Sequence, residues 1–208
     1  MCSRYQAPSA ERLADAFGET AQLSFELNLW PGYKGIFIRA PEDNQESEFE
    51  PLSGIFGLLP FWAKDQKLAR RTYNARTETV GEEPSFRNAW RKAQHCVIPA
   101  AAIYEPDWRS GTAVPTRFTR VDGGMMCIAG LWEEWTSPEG ERIHSYTMLT
   151  INADDHPLFR DYHSPEDEKR MVVVLPNGLI RDWRKATPAD SMEFMRPYPA
   201  DRLEARAE

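Results

Sequence analysis

The stretch Thr116–Trp132, TRFTRVDGGMMCIAGLW, decides the fold class. On either side of Asp122-Gly123-Gly124 lies a short run of β-branched, aromatic and apolar residues, Thr116 to Val121 and Met125 to Trp132. The Asp-Gly-Gly between them supplies residues that accept the backbone angles of a tight turn. The pattern predicts two strands joined by a hairpin. Ser137-Pro138-Glu139-Gly140 separates a further pair of such runs, the later one Ser145 to Ile151.

Working outward, Gly35 to Arg39, Gly54 to Leu59, Cys96 to Tyr104 and Met171 to Leu175 also read as strands. Helices are fewer. Ser9 can cap a first one, with Leu13, Ala14 and Phe17 as its apolar stripe and Gly18 as its stop. Phe86, Trp90 and Ala93 predict a second helix after Ser85, and a third is expected at about Pro188 to Phe194. Trp90, Trp108 and Trp132 are expected in the core. The implied class is α+β, a curved, barrel-like, mainly antiparallel sheet flanked by a few helices. Ala40 to Glu50 is acidic and aperiodic, so it reads as a surface loop, and the charged stretch after Pro199 reads as a fraying tail. Residues 1–208 are therefore expected to form a single domain, with a core at about 1–198 and a tail at about 199–208.

Composition excludes several classes. No apolar run approaches the roughly 20 residues of a membrane span, and no basic-then-apolar leader opens the chain, so a cytoplasmic protein is expected. The formal net charge of −7 argues against binding intact duplex through the global field. A local basic groove stays open through Arg70, Arg71 and Arg76, or Arg87, Arg91 and Lys92, with solvated surface as the plain alternative. Acidic residues concentrate in Glu42 to Glu50 and Glu166 to Glu168. Cys2, Cys96 and Cys127 are widely spaced with no Cys-x-x-Cys pair, which indicates neither a disulfide framework nor a structural zinc site. His95 beside Cys96 could be a ligand pair, but a buried strand thiol is the simpler reading.

Cys2 stands directly after Met1. Its small side chain makes Met1 removable by methionine aminopeptidase, which would leave a free α-amine beside a thiol. An α-amine titrates near 7.7–8.0 against about 10.4 for lysine, so near pH 7 its neutral fraction is larger by roughly two orders of magnitude. Such an amine condenses with an aldehyde, and the thiol can then close a five-membered thiazolidine on the imine carbon. The same group could instead serve a thiol peptidase or amidase.

Further motifs stand in one order: Met1-Cys2-Ser3-Arg4-Tyr5, Asn28 with Pro31-Gly32, Gly57 with Pro60 and Trp62, Asn74-Ala75-Arg76-Thr77-Glu78-Thr79, Ile98-Pro99 leading to Tyr104-Glu105, and His163 before Arg170-Met171. Together they resemble the SOS-response-associated peptidase (SRAP) family, from residue 1 to about residue 175. The resemblance implies a barrel-like fold and a protein that binds single-stranded DNA and crosslinks covalently to abasic sites through a thiazolidine on Cys2. It would consume itself in doing so, need neither metal nor cofactor, act as a monomer, and join the nucleoid on damage. A hydrolase, a lyase acting at the abasic site, and a non-catalytic single-strand-binding module are the alternatives.

Carried onto this chain, the family's functional positions make Cys2 the nucleophile, with Asn74 and Glu105 around it and His163 as the proton-transfer group. Glu105 suits dehydration of the carbinolamine, and a histidine titrating near neutrality suits proton donation as the sugar opens. Arg4, Arg76 and Arg170 would meet DNA, Trp62 would stack on an unpaired base, and Thr150 would line the pocket. Three departures stand out: Ser3 and Val172 replace the family's glycine and proline, and an acidic insertion, Ser164 to Lys169, separates His163 from Arg170.

Overall fold

Strands form where the chain runs apolar or alternates. The computed structural model describes residues 2–18, 22–41 and 48–208. In chain order its elements are β1 (Arg4–Gln6), α1 (Ala10–Phe17), β2 (Asn28–Leu29), β3 (Lys34–Arg39), β4 (Glu50–Phe56), β5 (Asn74–Arg76), α2 (Arg87–Arg91), β6 (His95–Ala100), β7 (Ala102–Asp107), β8 (Val114–Arg120), β9 (Met126–Thr136), β10 (Arg142–Asn152), β11 (Arg170–Val172), β12 (Val174–Leu175), α3 (Ile180–Lys185) and β13 (Leu203–Ala207). β10, β4, β3, β6 and β9 pair in turn, and β9 returns to β10, which closes a barrel. β5, β11 and β12 extend its margins. A second sheet runs β13-β8-β7-β1-β2. Pairing is antiparallel except where β10 meets β4 and β5. The expected α+β class with a barrel-like sheet is what the chain forms.

The run Cys96 to Tyr104 is two strands, not one. β6 belongs to the barrel and β7 to the second sheet, and the Ala101 amide between them donates to the Gln6 carbonyl at 2.7 Å. The hairpin expected at Asp122-Gly123-Gly124 is a turn of another kind. β8 pairs with β7 and β13, whereas β9 pairs with β6, β10 and β12, so the turn carries the chain between sheets. Asp122 stabilises it by accepting from the Gly124 amide at 2.9 Å and pairing with Arg120. The turn at Ser137 to Gly140 does close a hairpin, with Thr136 opposite Arg142.

Helix α1 follows expectation: Ser9 accepts from the Arg12 amide, Gly18 takes a φ of 90°, and Leu13 and Phe17 face the core, although Ala14 is exposed. α2 is shorter than its spacing suggests, because Ala93 adopts a φ of 49° and ends it. The third helix lies earlier than expected. Ile180 and Trp183 anchor α3, while Ser191–Phe194 forms only a 3-10 turn, its Ser191 hydroxyl bonded to the Thr187 carbonyl and to His95. The stretch after Pro199 does not fray: β13 pairs with β8 over five residues. Trp90 is buried as expected, and Trp108 and Trp132 are half-buried. Most of the Ala40 to Glu50 loop, residues 42–47, lies outside the described residues.

One hydrophobic cluster spans both sheets, including Tyr5, Phe37, Phe56, Phe118, Tyr146 and Phe159. The Tyr5 and Tyr146 hydroxyls bond to each other and tie β1 to the barrel. A Cβ at Gly35 would stand 2.1 Å from the Tyr146 hydroxyl, so only glycine leaves room for that bond. No helix among the described residues is long and apolar enough to cross a membrane.

Candidate active site

Cys2 lies two residues before the start of β1, which is held between β2 and β7 with Arg4 opposite Tyr104. Asn74 reaches it from the barrel, because β5 runs parallel to β10 with Asn74 in register with Met148. The Asn74 side-chain amide donates to the Cys2 carbonyl at 2.8 Å. Its amide oxygen is buried and has no hydrogen-bond partner among the described residues. The Cys2 thiol, 1% exposed, donates to the Arg4 carbonyl at 3.4 Å. Burial, and then the proximity of Glu105, push that thiol well above its ordinary range.

Glu105 projects from β7 to the inner face, beside Thr116 of β8. The next segment folds over it: Phe159 and Tyr162 pack on Phe118, Tyr162 bridges to Asp107, and the His163 amide donates to the Pro106 carbonyl at 2.9 Å. His163 takes a φ of 68°, a left-handed conformation that few non-glycine residues adopt. Its Nδ1 stands 3.4 Å from Glu105 Oε2, and its Nε2 stands 3.0 Å from the Arg170 carbonyl. The carbonyl only accepts, so Nε2 carries the hydrogen and Nδ1 is left as the acceptor facing Glu105. Burial pushes Glu105 up to about 7 and His163 down to about 4. His163 is thus a neutral imidazole near pH 7, beside a Glu105 poised between acid and carboxylate, and it does not titrate near neutrality as its type suggests.

The insertion leaves both flanking residues in the site's frame. Ser164 to Lys169 folds on itself, with the Asp167 amide and the Lys169 ammonium both bonded to the Ser164 carbonyl. Lys169 then rejoins the barrel through the Ala153 amide and Asp154. Val172 pairs with Thr150 in the β10–β11 ladder.

The DNA-contact candidates divide. Arg4 stacks on Tyr104 with its guanidinium carbon 3.9 Å from the ring centroid, and both its terminal nitrogens bond Glu208. Arg76 is half-exposed and pairs with Glu168 at 2.9 Å. Arg170 is 2% exposed and spent on Glu78, Glu168 and Thr150, while the Thr150 hydroxyl is buried against the Ala75 carbonyl. Trp62 is exposed, its indole N–H 3.4 Å from the Pro84 carbonyl. Sequence reasoning missed Tyr73, whose phenol is raised by burial and by the nearby Cys2 and Glu105. Its only signal is its place before Asn74. No group of His, Cys, Asp and Glu among the described residues is arranged to hold a metal, and His95 is stacked on Trp183 with a centroid separation of 3.9 Å.

Fold and site define a small barrel protein whose second residue, a buried cysteine, lies beside an amide and a carboxyl, the carboxyl in turn facing an imidazole. The chain belongs to the SRAP family: the family model described as SOS response associated peptidase (SRAP) matches residues 1–207. It is 35% identical over 156 residues to the abasic site processing protein YoqW of Bacillus subtilis, covering 72% of this chain and 65% of that one. It is 28% identical over 179 residues to the abasic site processing protein HMCES of Rattus norvegicus, covering 71% and 49%. The chain thus spans less than two thirds of the length of these curated relatives. A crystal structure of a Bordetella bronchiseptica protein superposes with a TM-score of 0.91 at 52% identity, covering 100% of this chain and 99% of that one.

Proposed function

We propose that this protein processes abasic sites, and that it does so by capturing the open-chain aldehyde on Cys2 in single-stranded DNA. The observation that carries the reading is the setting of buried Cys2, its carbonyl held by Asn74 and its thiol raised by nearby Glu105, which in turn faces His163. With Met1 removed, the α-amine attacks the aldehyde carbon to give a carbinolamine. Glu105 in its protonated form, part of the population near pH 7, gives its proton to the departing hydroxyl; water leaves, and the carboxylate takes back the nitrogen proton as the neutral imine forms. The Cys2 sulfur then adds to the imine carbon while the thiol proton passes to nitrogen, closing the thiazolidine. The net change is loss of one water.

Two features support this order. The thiol is held in its neutral form, which suits a second step following the amine and disfavours a peptidase that opens with a thiolate. The unpaired Asn74 oxygen is a ready acceptor for an amine or sugar hydroxyl. The names of YoqW and HMCES, abasic site processing proteins, point the same way.

The test mixes protein of confirmed mass, lacking Met1, with a single-stranded oligonucleotide bearing one abasic site, beside an intact control, on a denaturing gel. A shifted band with the abasic strand alone is expected. Cys2→Ser keeps the amine, so it should give an imine that borohydride traps but no heat-stable adduct. An equally stable adduct from Cys2→Ser would rule out the ring, and no adduct from the parent protein would rule out capture.

A further inference from the structure

An abasic deoxyribose rests mainly as a closed hemiacetal, and the amine of Cys2 can attack only the open aldehyde. Opening the sugar takes a base and an acid together. The hemiacetal hydroxyl gives its proton to the base, and the ring oxygen takes one from the acid as its bond to the anomeric carbon breaks. Glu105 fills only one of these roles at a time. His163 does not fill the other: both its ring nitrogens are engaged, Nε2 with the Arg170 carbonyl at 3.0 Å and Nδ1 with Glu105 at 3.4 Å. Near neutrality it carries no second proton to give.

The other donors around Cys2 are engaged as well. The Cys2 thiol donates to the Arg4 carbonyl, the Tyr5 and Tyr146 hydroxyls bond each other, and the Thr150 hydroxyl donates to the Ala75 carbonyl. Tyr73 differs. It is half-buried, and among the described residues its hydroxyl has no hydrogen-bond partner. Its backbone is fixed on both sides: the Tyr73 carbonyl accepts from the Met148 amide at 3.1 Å, and Asn74, next in the chain, holds the Cys2 carbonyl at 2.8 Å. Its ring stands edge-on to Phe56 at a centroid separation of 5.9 Å, and Phe56 packs on Tyr5 of β1 at 5.2 Å. Tyr73, Phe56 and β1 therefore form one block. The phenol is raised by burial and then by Cys2 and Glu105, both near enough to act on it, so it keeps its hydrogen through neutral pH.

We propose that Tyr73 is a further catalytic residue, the acid that opens the sugar by giving its hydroxyl proton to the ring oxygen of the abasic deoxyribose. The step balances as an isomerisation. The ionised part of the Glu105 population takes the hemiacetal proton, and that oxygen becomes the carbonyl of the aldehyde. The bond from the anomeric carbon to the ring oxygen breaks with its electron pair staying on oxygen, and Tyr73 protonates that oxygen to a free hydroxyl. An alkoxide is a stronger base than a phenolate, so this transfer runs downhill. Glu105 then returns a proton to the phenolate by way of water, and both side chains end as they began. The inference rests on the reading of Cys2 as the point of capture and adds the step before it.

The experiment gives protein lacking Met1 two substrates: a single strand bearing one abasic site, and acetaldehyde, which has no ring to open. The parent, Tyr73→Phe and Glu105→Gln are followed over time, by denaturing gel for the strand and by intact mass for acetaldehyde. Tyr73→Phe keeps the ring against Phe56 and removes only the hydroxyl. It should capture the abasic strand more slowly by on the order of a hundredfold, the lower end of what a positioned acid contributes. It should add acetaldehyde at the parent's rate. Glu105→Gln should slow both reactions, because imine formation is common to them.

An equal loss of Tyr73→Phe on acetaldehyde overturns the role, since it would mark Tyr73 as a packing residue. A parent that captures the strand while Tyr73→Phe keeps pace with it loses this role alone. A parent that adds acetaldehyde but captures no abasic strand loses the function and the role together.

Discussion

Glu105 and His163 are each shifted toward the neutral form, and the two shifts bend stability in opposite directions. An unfolded glutamate titrates near 4.3 and this one near 7, so the stability tied to its proton is full at low pH and is lost as pH rises through about 7. An unfolded histidine titrates near 6.5 and this one near 4, so its share is present above about 6.5 and is lost as pH falls through about 4. Between about 4.5 and 6.5 the slopes oppose each other. Glu105→Gln removes the first slope, so its unfolding free energy relative to the parent should grow by on the order of 3 kcal/mol from pH 4 to pH 8. Urea denaturation across that range measures it, and parallel profiles would show that Glu105 ionises freely in the fold. Cys2, Asn74, Glu105 and His163 could be named as candidates because each belongs to a short ordered motif. Their protonation could not be read there, since it depends on burial under Phe159 and Tyr162, more than fifty residues away from Glu105 in the chain.

At the level of elements, local chemistry announced turns and caps but not partners. Asp122-Gly123-Gly124 is a turn, as its residues require, yet nothing within it tells that β8 continues one sheet and β9 another. The charged composition of Leu203–Ala207 hid a strand, because β13 is an edge strand whose Arg206 and Glu204 pair side by side on the exposed surface. The insertion likewise separates His163 from Arg170 in the sequence without separating them in the fold. It delivers Glu168 to Arg76 and Arg170, so a carboxylate rests where a phosphate is expected to bind. Glu168→Gln should free Arg76 while Glu78 still holds Arg170, and tighten single-strand binding up to about fivefold. Unchanged or weaker binding in an anisotropy titration would mean that Arg76 does not meet DNA.

Across the whole molecule, the barrel and the second sheet share one apolar cluster, and the Tyr5–Tyr146 bond stitches β1 into it. Gly35→Ala drives a methyl into both hydroxyls and should cost on the order of 1–3 kcal/mol, read as a lower midpoint in thermal unfolding, with slower adduct formation as β1 shifts. A midpoint equal to the parent's would show that the two sheets can slide without loss. β1 also has a mechanical meaning. It is laced to β2 on one side and β7 on the other, and its hydrogen bonds lie across the strand direction. Tension on anything attached at Cys2 pulls β1 lengthwise, so those bonds bear the load together in shear instead of peeling open in turn. The fold that presents the cysteine is thereby also its anchor, and a tethered strand under pull would meet its greatest resistance along the line of the chain that holds it.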